Sequence, residues 1–424
     1  MSQILLLGSS MARTDAIVLG AGIVGTSVAL HLAKRGLSVA LVDRRGPGEE
    51  TSYGNTGVIV GASVFPTAFP RSLKKLIQVA LKRAPEANYH WGDLLKIAPW
   101  LISYFNFSTP EKLKDSAVKL RPLMSHSVAE HKLLLEEAGA MKYLRENGWM
   151  TIYRSDAAFE GMKPQLEFGA QIGVAAQPLD MNAALTLEPS LNPVFRHALM
   201  WPDVASLSNP LKVTRAYAAR FQALGGVLLK GDARKLRRAD GRWRVETEEG
   251  PVDSANAVVT LGPWSPDVLS PLGIKVPLGI KRGYHRHFEP KGNASLARPV
   301  IDTEIGYAIT PMEQGIRLTT GAEFADRDAP PTPVQFDRLL PYARELFPLG
   351  EPNEPEPWLG RRPNMPDSLP VLGRAPGQDG LWLAFGHGHW GLTMAAVTGR
   401  LIAELMTGAT PFVDPVPYRA DRFR

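Results

Sequence analysis

Residues 16–19 (AIVL) form a short, wholly apolar run that ends on a glycine, the pattern of a strand buried on both faces of a parallel sheet. Residues 26–35 then place Val28, Leu32 and Ala33 near one helical face, and Gly36 stands where a helix closes. A second apolar run, residues 39–42 (VALV), ends on Asp43. Strand, turn, helix and strand within about thirty residues predict a βαβ unit. From residue 65 to about residue 174 the spacing turns helical, over 73–81, 94–105, 112–120 and 125–139, with prolines such as Pro110 and Pro122 between the segments. Residues 149–153 (WMTIY) alternate as a strand. Asn209 and Pro210 supply a cap and a first-turn proline for a helix over 209–223, followed by strands over 227–229, 243–247 and 252–260. Residues 276–360 alternate with frequent turns, as an antiparallel sheet does. Residues 381–385 (LWLAF) read as one more buried strand, then a glycine-rich loop and a helix over 392–406.

Composition narrows the function classes. A chain of 424 residues with 44% hydrophobic and 21% charged residues folds into a globular protein of two or three domains. The charge, 48 basic against 42 acidic residues for a net +6, is scattered, which disfavours nucleic acid and suits anionic small molecules or, at most, an anionic membrane surface. The absence of cysteine excludes disulfides, thiolate catalysis, iron–sulfur clusters and a cysteinyl flavin link. No segment reads as spanning a membrane: the uncharged residues 16–33 contain Gly20, Gly22 and Gly25 and fit the βαβ unit. Residues 1–10 lack a basic start and read as an upstream extension with no role in the fold. Residues 94–107 (LLKIAPWLISYFNF) are apolar and aromatic enough for a membrane surface, but suit a core helix better.

Two loops carry the chemistry. Gly20, Gly22 and Gly25, with Ile23 and Val24 between, form G-x-G-x-x-G at the strand–helix turn. There a tight turn, a close backbone approach and helix-end amides receive a pyrophosphate. Asp43, 18 residues after Gly25, is placed for ribose hydroxyls, and Arg44 and Arg45 would suit a 2′-phosphate. This motif alone leaves FAD and NAD(P) open. The second loop, Gly386, His387, Gly388, His389, Trp390, Gly391, Leu392 and Thr393, lies between a buried strand and the closing helix. One dinucleotide stretched between the two loops would put a flavin ring at the second, where helix-end amides favour a reduced flavin. His387 and His389 lack partners for a metal site.

These motifs, together with residues 51–57 (TSYGNTG), 261–265 (LGPWS), 281–285 (KRGYH), 360–367 (GRRPNMPD) and 398–400 (TGR), resemble the FAD-dependent D-amino-acid oxidase superfamily. Within it they are most similar to the bacterial D-amino-acid dehydrogenases of small-subunit type. The resemblance implies an α/β fold: a Rossmann-like FAD-binding domain of residues 12–64, 195–275 and 360–424. Into it is inserted an antiparallel-sheet substrate domain of the α+β kind with extra helices, residues 65–194 and 276–359. It places Gly54, Asn55, Thr56, Gly57, Ala233 and Gly262 along the cofactor. It makes Arg362 the clamp for a substrate carboxylate, a role that a forked guanidinium fills well, and it sets Tyr307, Tyr53, Tyr284 and His285 near the substrate. The implied reaction is oxidation of a D-amino acid, D-proline among the candidates, by hydride transfer from Cα to flavin N5. The imino acid formed hydrolyses to a 2-oxo acid and ammonia, and a quinone or other acceptor takes the electrons. The alternative is an O₂-using oxidase of glycine, sarcosine or another N-substituted amino acid. The expected location is the cytoplasm, with peripheral attachment to the inner membrane left open.

Overall fold

The computed structural model describes residues 12–61 and 64–423; residues 1–10, read above as an extension, lie outside the described residues. Strand β1 (Ala12–Leu19), helix α1 (Ile23–Lys34) and strand β2 (Val39–Asp43) open the chain. Helices α2 (Leu73–Ala80), α3 (Leu94–Phe107) and α4 (Pro110–Glu137) follow, then strand β3 (Trp149–Tyr153). Helix α5 (Pro210–Ala223) leads to β4 (Val227–Lys230) and β5 (Gly250–Val259). Strands β6 (Gly279–Pro290), β7 (Tyr307–Met312), β8 (Gly315–Thr319) and β9 (Trp358–Asn364) precede β10 (Leu381–Phe385) and helix α6 (Ala395–Thr407).

Two large sheets organise these elements. In the first, of eight strands among the described residues, β4, β2, β1, β5 and β10 lie side by side and all pair in parallel. Ile17, Val18 and Leu19 are fully buried, as a parallel sheet covered on both faces requires. Each such side chain contributes about 1.5–3 kcal/mol on burial. One face is covered by α1, α4, α5 and α6, whose Val28, Leu134, Tyr217 and Leu401 share one core with Val18 and Leu41. Helices α1 and α6 meet closely at Gly399, where a Cβ would stand 2.6 Å from the Ser27 carbonyl oxygen.

The second sheet, of eleven strands among the described residues, is built around β6, which pairs antiparallel with both β8 and β9, while β7 and β8 form a hairpin. Tyr284, Phe288, Leu318 and Phe336 pack its outer core.

Three sequence expectations change. The segments predicted over 112–120 and 125–139 are one helix, α4, running through Pro122. Pro122 removes a single amide bond, and a continuous buried face that includes Leu120, Leu123, Met124 and His131 outweighs it. A helix at Val334–Leu346 interrupts the stretch read as purely antiparallel. The closing helix starts at Ala395, three residues later than expected, after a 3₁₀ turn at Gly388–Trp390. The segment of residues 65–194 does not stay with one sheet: α4 packs on the first sheet's helices, whereas β3 joins the second sheet.

Among the described residues, no helix is long and apolar enough to cross a membrane.

Candidate active site

A cavity of about 670 Å³ is lined by both sheets and by the loops at the strand ends of the first. At one end lies the β1–α1 turn. Gly20 has φ +105°, a left-handed conformation that glycine alone adopts readily, and a Cβ on Gly25 would stand 1.8 Å from the Gly20 carbonyl oxygen. The N-cap residue of α1, Gly22, has no side chain to cap the helix, and Gly20, Gly22, Ile23 and Val24 form this wall of the cavity. Ser52 Oγ accepts from the Ile23 amide at 2.9 Å. Asp43 also lines the cavity; its Oδ2 accepts from the Ala21 amide at 2.7 Å and its Oδ1 from the Arg45 amide at 2.8 Å. These bonds fix the carboxylate at the strand end with lone pairs to spare. Arg44 lines the cavity with its guanidinium 5.1 Å from the Trp264 ring. Arg45 lies outside the lining and pairs with Glu50 at 2.8 Å.

Gly54, Asn55 and Thr56 also border the cavity, as do Ala233 and Gly262. Asn55 folds the loop on itself: its Nδ2 donates to the Ser52 carbonyl at 2.7 Å, and its Oδ1 accepts from the Gly57 amide at 2.7 Å. Gly57 shapes that turn and, like Gly25 and Gly386, is absent from the lining. Buried Arg317, not singled out by sequence, donates to the Tyr53 and Asn55 carbonyls and, through Nε, to His287 Nε2 at 2.9 Å. It ties the loop to β8 and β6, and burial lowers its pKa to about 10.

The wall facing the substrate end is set by the β6–β9 register. Lys281 pairs with Arg362, Gly283 with Gly360 and His285 with Trp358, so these six share one face. The Arg362 guanidinium lies in the space Gly283 leaves open, where a Cβ would stand 2.4 Å from its Nη1. It donates to the carbonyls of Gly321 at 2.9 Å and Thr320 at 3.2 Å. No carboxylate among the described residues pairs with it, and burial lowers its pKa to about 10. Arg361 takes the opposite face and donates to the Arg327 carbonyl at 2.8 Å. Lys281 sits behind this wall, 3% exposed, donating from Nζ to Tyr104 Oη at 2.7 Å. Burial, then the Arg362 charge, pulls its pKa down to about 7.

Of the three tyrosines, Tyr307 and Tyr284 line the cavity and Tyr53 does not. Tyr307 borders the cavity, but its hydroxyl donates to the Tyr342 carbonyl at 3.1 Å, and burial raises its pKa. Tyr284 borders it from the other face of β6, with its hydroxyl on buried Glu323 at 2.9 Å. Tyr53 lies outside the lining and packs on His285 and Trp358, with ring centroids 5.4 and 5.5 Å apart. Trp358 takes the wall position instead, over Gly54, and sequence reasoning passed over it. The alternation W-L-G-R-R was the available signal, since it puts Trp358, Gly360 and Arg362 on one face.

The C-terminal loop completes the lining with His387, Gly388, His389, Trp390, Gly391, Leu392 and Thr393. His387 is buried against Thr398 Oγ1 at 3.0 Å, and burial drops its pKa to about 3. His389 is open to the cavity. Thr393 Oγ1 accepts from the Val60 amide at 3.1 Å, fastening the loop to the strand Val58–Val60.

A helix start behind a glycine turn, a fixed strand-end carboxylate and a lining that also contains an arginine with no carboxylate partner among the described residues fit a dinucleotide such as FAD.

Comparison with known proteins agrees. Residues 15–405 match the family described as DAO, FAD dependent oxidoreductase. A D-amino-acid oxidase of Bradyrhizobium diazoefficiens is 30% identical over 414 residues, covering 96% of this chain and 98% of that protein. A D-amino acid dehydrogenase of Rhizobium johnstonii is 31% identical over 407 residues, covering 94% and 97%. Among solved structures, glycine oxidase from Geobacillus kaustophilus superposes with a TM-score of 0.76 at 22% identity, covering 97% of this chain and 99% of that one. L-proline dehydrogenase from P. horikoshii gives 0.73 at 20% identity, covering 98% of each. The chain belongs to the DAO family of FAD dependent oxidoreductases.

Proposed function

We propose that this oxidoreductase is a D-amino-acid dehydrogenase that passes its electrons to a quinone or another acceptor. The observation that carries the reading is Arg362, a half-buried guanidinium at the cavity wall with only backbone carbonyls for partners. Such a group favours a carboxylate, which takes two charge-assisted bonds and is thereby oriented. Support for the substrate class comes from relatives named D-amino-acid oxidase and D-amino acid dehydrogenase.

Asp43 would hold the ribose of FAD, the β1–α1 turn its pyrophosphate, and residues 54–56 and 387–393 the remainder. Bound FAD supplies the two-electron acceptor for converting the amino acid to an imino acid. The chain's own work is then orientation and enclosure. Arg362 fixes the carboxylate, the Gly283 and Gly360 backbone leaves room beside it, and Phe65, Trp149 and Ile301 offer an apolar wall for the substrate side chain. Water hydrolyses the imino acid to a 2-oxo acid and ammonia. In this reading Tyr307 and Tyr284 shape the wall without offering a hydroxyl.

A panel of D- and L-amino acids, glycine and sarcosine, assayed with a dye acceptor with and without O₂, tests the proposal. Turnover of D-isomers that persists without O₂ is expected. Turnover confined to L-isomers, or to glycine and sarcosine with O₂ only, would overturn it.

A further inference from the structure

Lys281 and Arg362 are partners across β6 and β9, and neither has a carboxylate partner among the described residues. Elsewhere the fold supplies one: Arg282, on the opposite face of β6, is buried against Glu323 at 2.9 Å. Two neighbouring cations without an anion carry an electrostatic cost, which a doubly charged anion would remove. The Arg362 guanidinium lies over Gly283. Gly283 and Lys281 are two residues apart on one strand face, about 6–7 Å. The two carboxylates of a four- or five-carbon dicarboxylic acid bridge a span of that order.

Lys281 adjoins the cavity. With Asn364, His389 and Trp390 it lines a side chamber of about 10 Å³, the space of one water or one carboxylate oxygen. Thr67, Gly388, His389 and Trp390 border this chamber and the main cavity alike. Helix α3 closes the chamber. Expected to be a core helix, it buries only Trp100 and Tyr104. Their rings stack with centroids 5.1 Å apart, and Trp100 Nε1 donates to the Asn364 carbonyl at 3.1 Å. Tyr104 Oη donates to the Thr67 carbonyl and accepts from Lys281 Nζ. That hydroxyl is the one partner of an ammonium with three donors, which leaves donors for a ligand.

We propose that this site takes a D-amino acid with a second carboxylate on its side chain, the α-carboxylate on Arg362 and the distal one on Lys281. The inference rests on the reading of Arg362 as the α-carboxylate clamp and deepens it. A neutral side chain would leave Lys281 uncompensated, whereas a distal carboxylate gains a charge-assisted bond in a site sealed from bulk water. The apolar wall described above is left for the methylene stem.

The test compares D-glutamate with its neutral isostere D-glutamine in the dye-linked assay of the holoprotein. In parallel, the absorbance of the oxidised flavin is titrated with glutarate and with butyrate, which lack an amine to oxidise. The parent should favour D-glutamate in kcat/KM by about 30-fold, the worth of one charged hydrogen bond, and glutarate over butyrate by a similar factor. Lys281→Met should erase both preferences, and Lys281→Arg should keep part of them. The titratable groups around Lys281 are Tyr104 of α3, Arg362 of β9 and His389 of the C-terminal loop. Burial and then Arg362 hold its pKa at about 7, so the parent's preference should be larger at about pH 6 than at about pH 8.5. Lys281→Met should lose that dependence; its persistence there would move the second carboxylate to His389 and overturn the assignment. Turnover of D-glutamine as fast as D-glutamate by the parent would overturn the proposal and leave the dehydrogenase reading standing. If no D-amino acid is oxidised, the dehydrogenase reading falls, and glutarate binding to the parent against Lys281→Met decides the second carboxylate site by itself.

Discussion

Arg362 owes its reach to a missing side chain. Its guanidinium occupies the place a Cβ on Gly283 would take, 2.4 Å from Nη1. Gly283→Ala should therefore push the clamp aside, raising KM at least tenfold while the purified protein keeps its flavin; an unchanged KM would show that the guanidinium has room to spare. Lys281 makes a prediction of the opposite kind, about stability. Burial, then Arg362, lowers its pKa to about 7 in the folded protein, whereas the unfolded chain holds its proton to about 10.4. Between these values the unfolded chain binds more protons, so this group's penalty is full below the lower value and fades as pH rises. Lys281→Met should therefore gain most in Tm over the parent at about pH 6, and the gain should shrink by about pH 9.5. A gain independent of pH would mean that Lys281 is neutral, or compensated, throughout. The sequence offered the identity of Arg362 but not the burial of Lys281, which depends on Tyr104 arriving from α3.

At the level of elements, the βαβ unit was the most legible part of the chain, because three needs coincide in it: a fully buried strand, a left-handed glycine and a carboxylate at the next strand end. Asp43→Ala should loosen this unit's grip on FAD, since the β1–α1 turn loses the bond from the Ala21 amide and the ribose loses its acceptor. The cofactor Kd should rise roughly tenfold or more, as one charged hydrogen bond of about 1.5–3 kcal/mol goes, and fluorescence of released flavin would report it. Retention equal to the parent's would move the ribose elsewhere. Less legible was α4, where Pro122 reads as a break but a long buried face carries the helix across it. The tyrosines were legible as residues and not as directions. Alternation assigns Tyr284 to a face only once the β6–β9 register is known, and Tyr307 turns its hydroxyl to the Tyr342 carbonyl from a helix the sequence did not announce.

For the whole molecule, the cavity exists because distant segments converge: Gly20, Gly22, Ile23 and Val24, Asp43 and Arg44, residues 54–56, Gly283, the alternating Trp358, Gly360 and Arg362 with Pro363, and residues 387–393 all border it. Glycine-rich loops signalled several of these, whereas Arg317 and Trp358 acquire their places only when the second sheet closes against the loop of residues 51–57. The most direct test of the account is anaerobic mixing of the purified holoprotein with D- and L-amino acids, following the yellow absorbance of its flavin. The parent should bleach with D-isomers, and Arg362→Ala should need far more substrate, with kcat/KM lower by roughly 100-fold, the loss of about 3 kcal/mol for an unpaired carboxylate. A colourless protein, or equal bleaching by parent and variant, would contradict it.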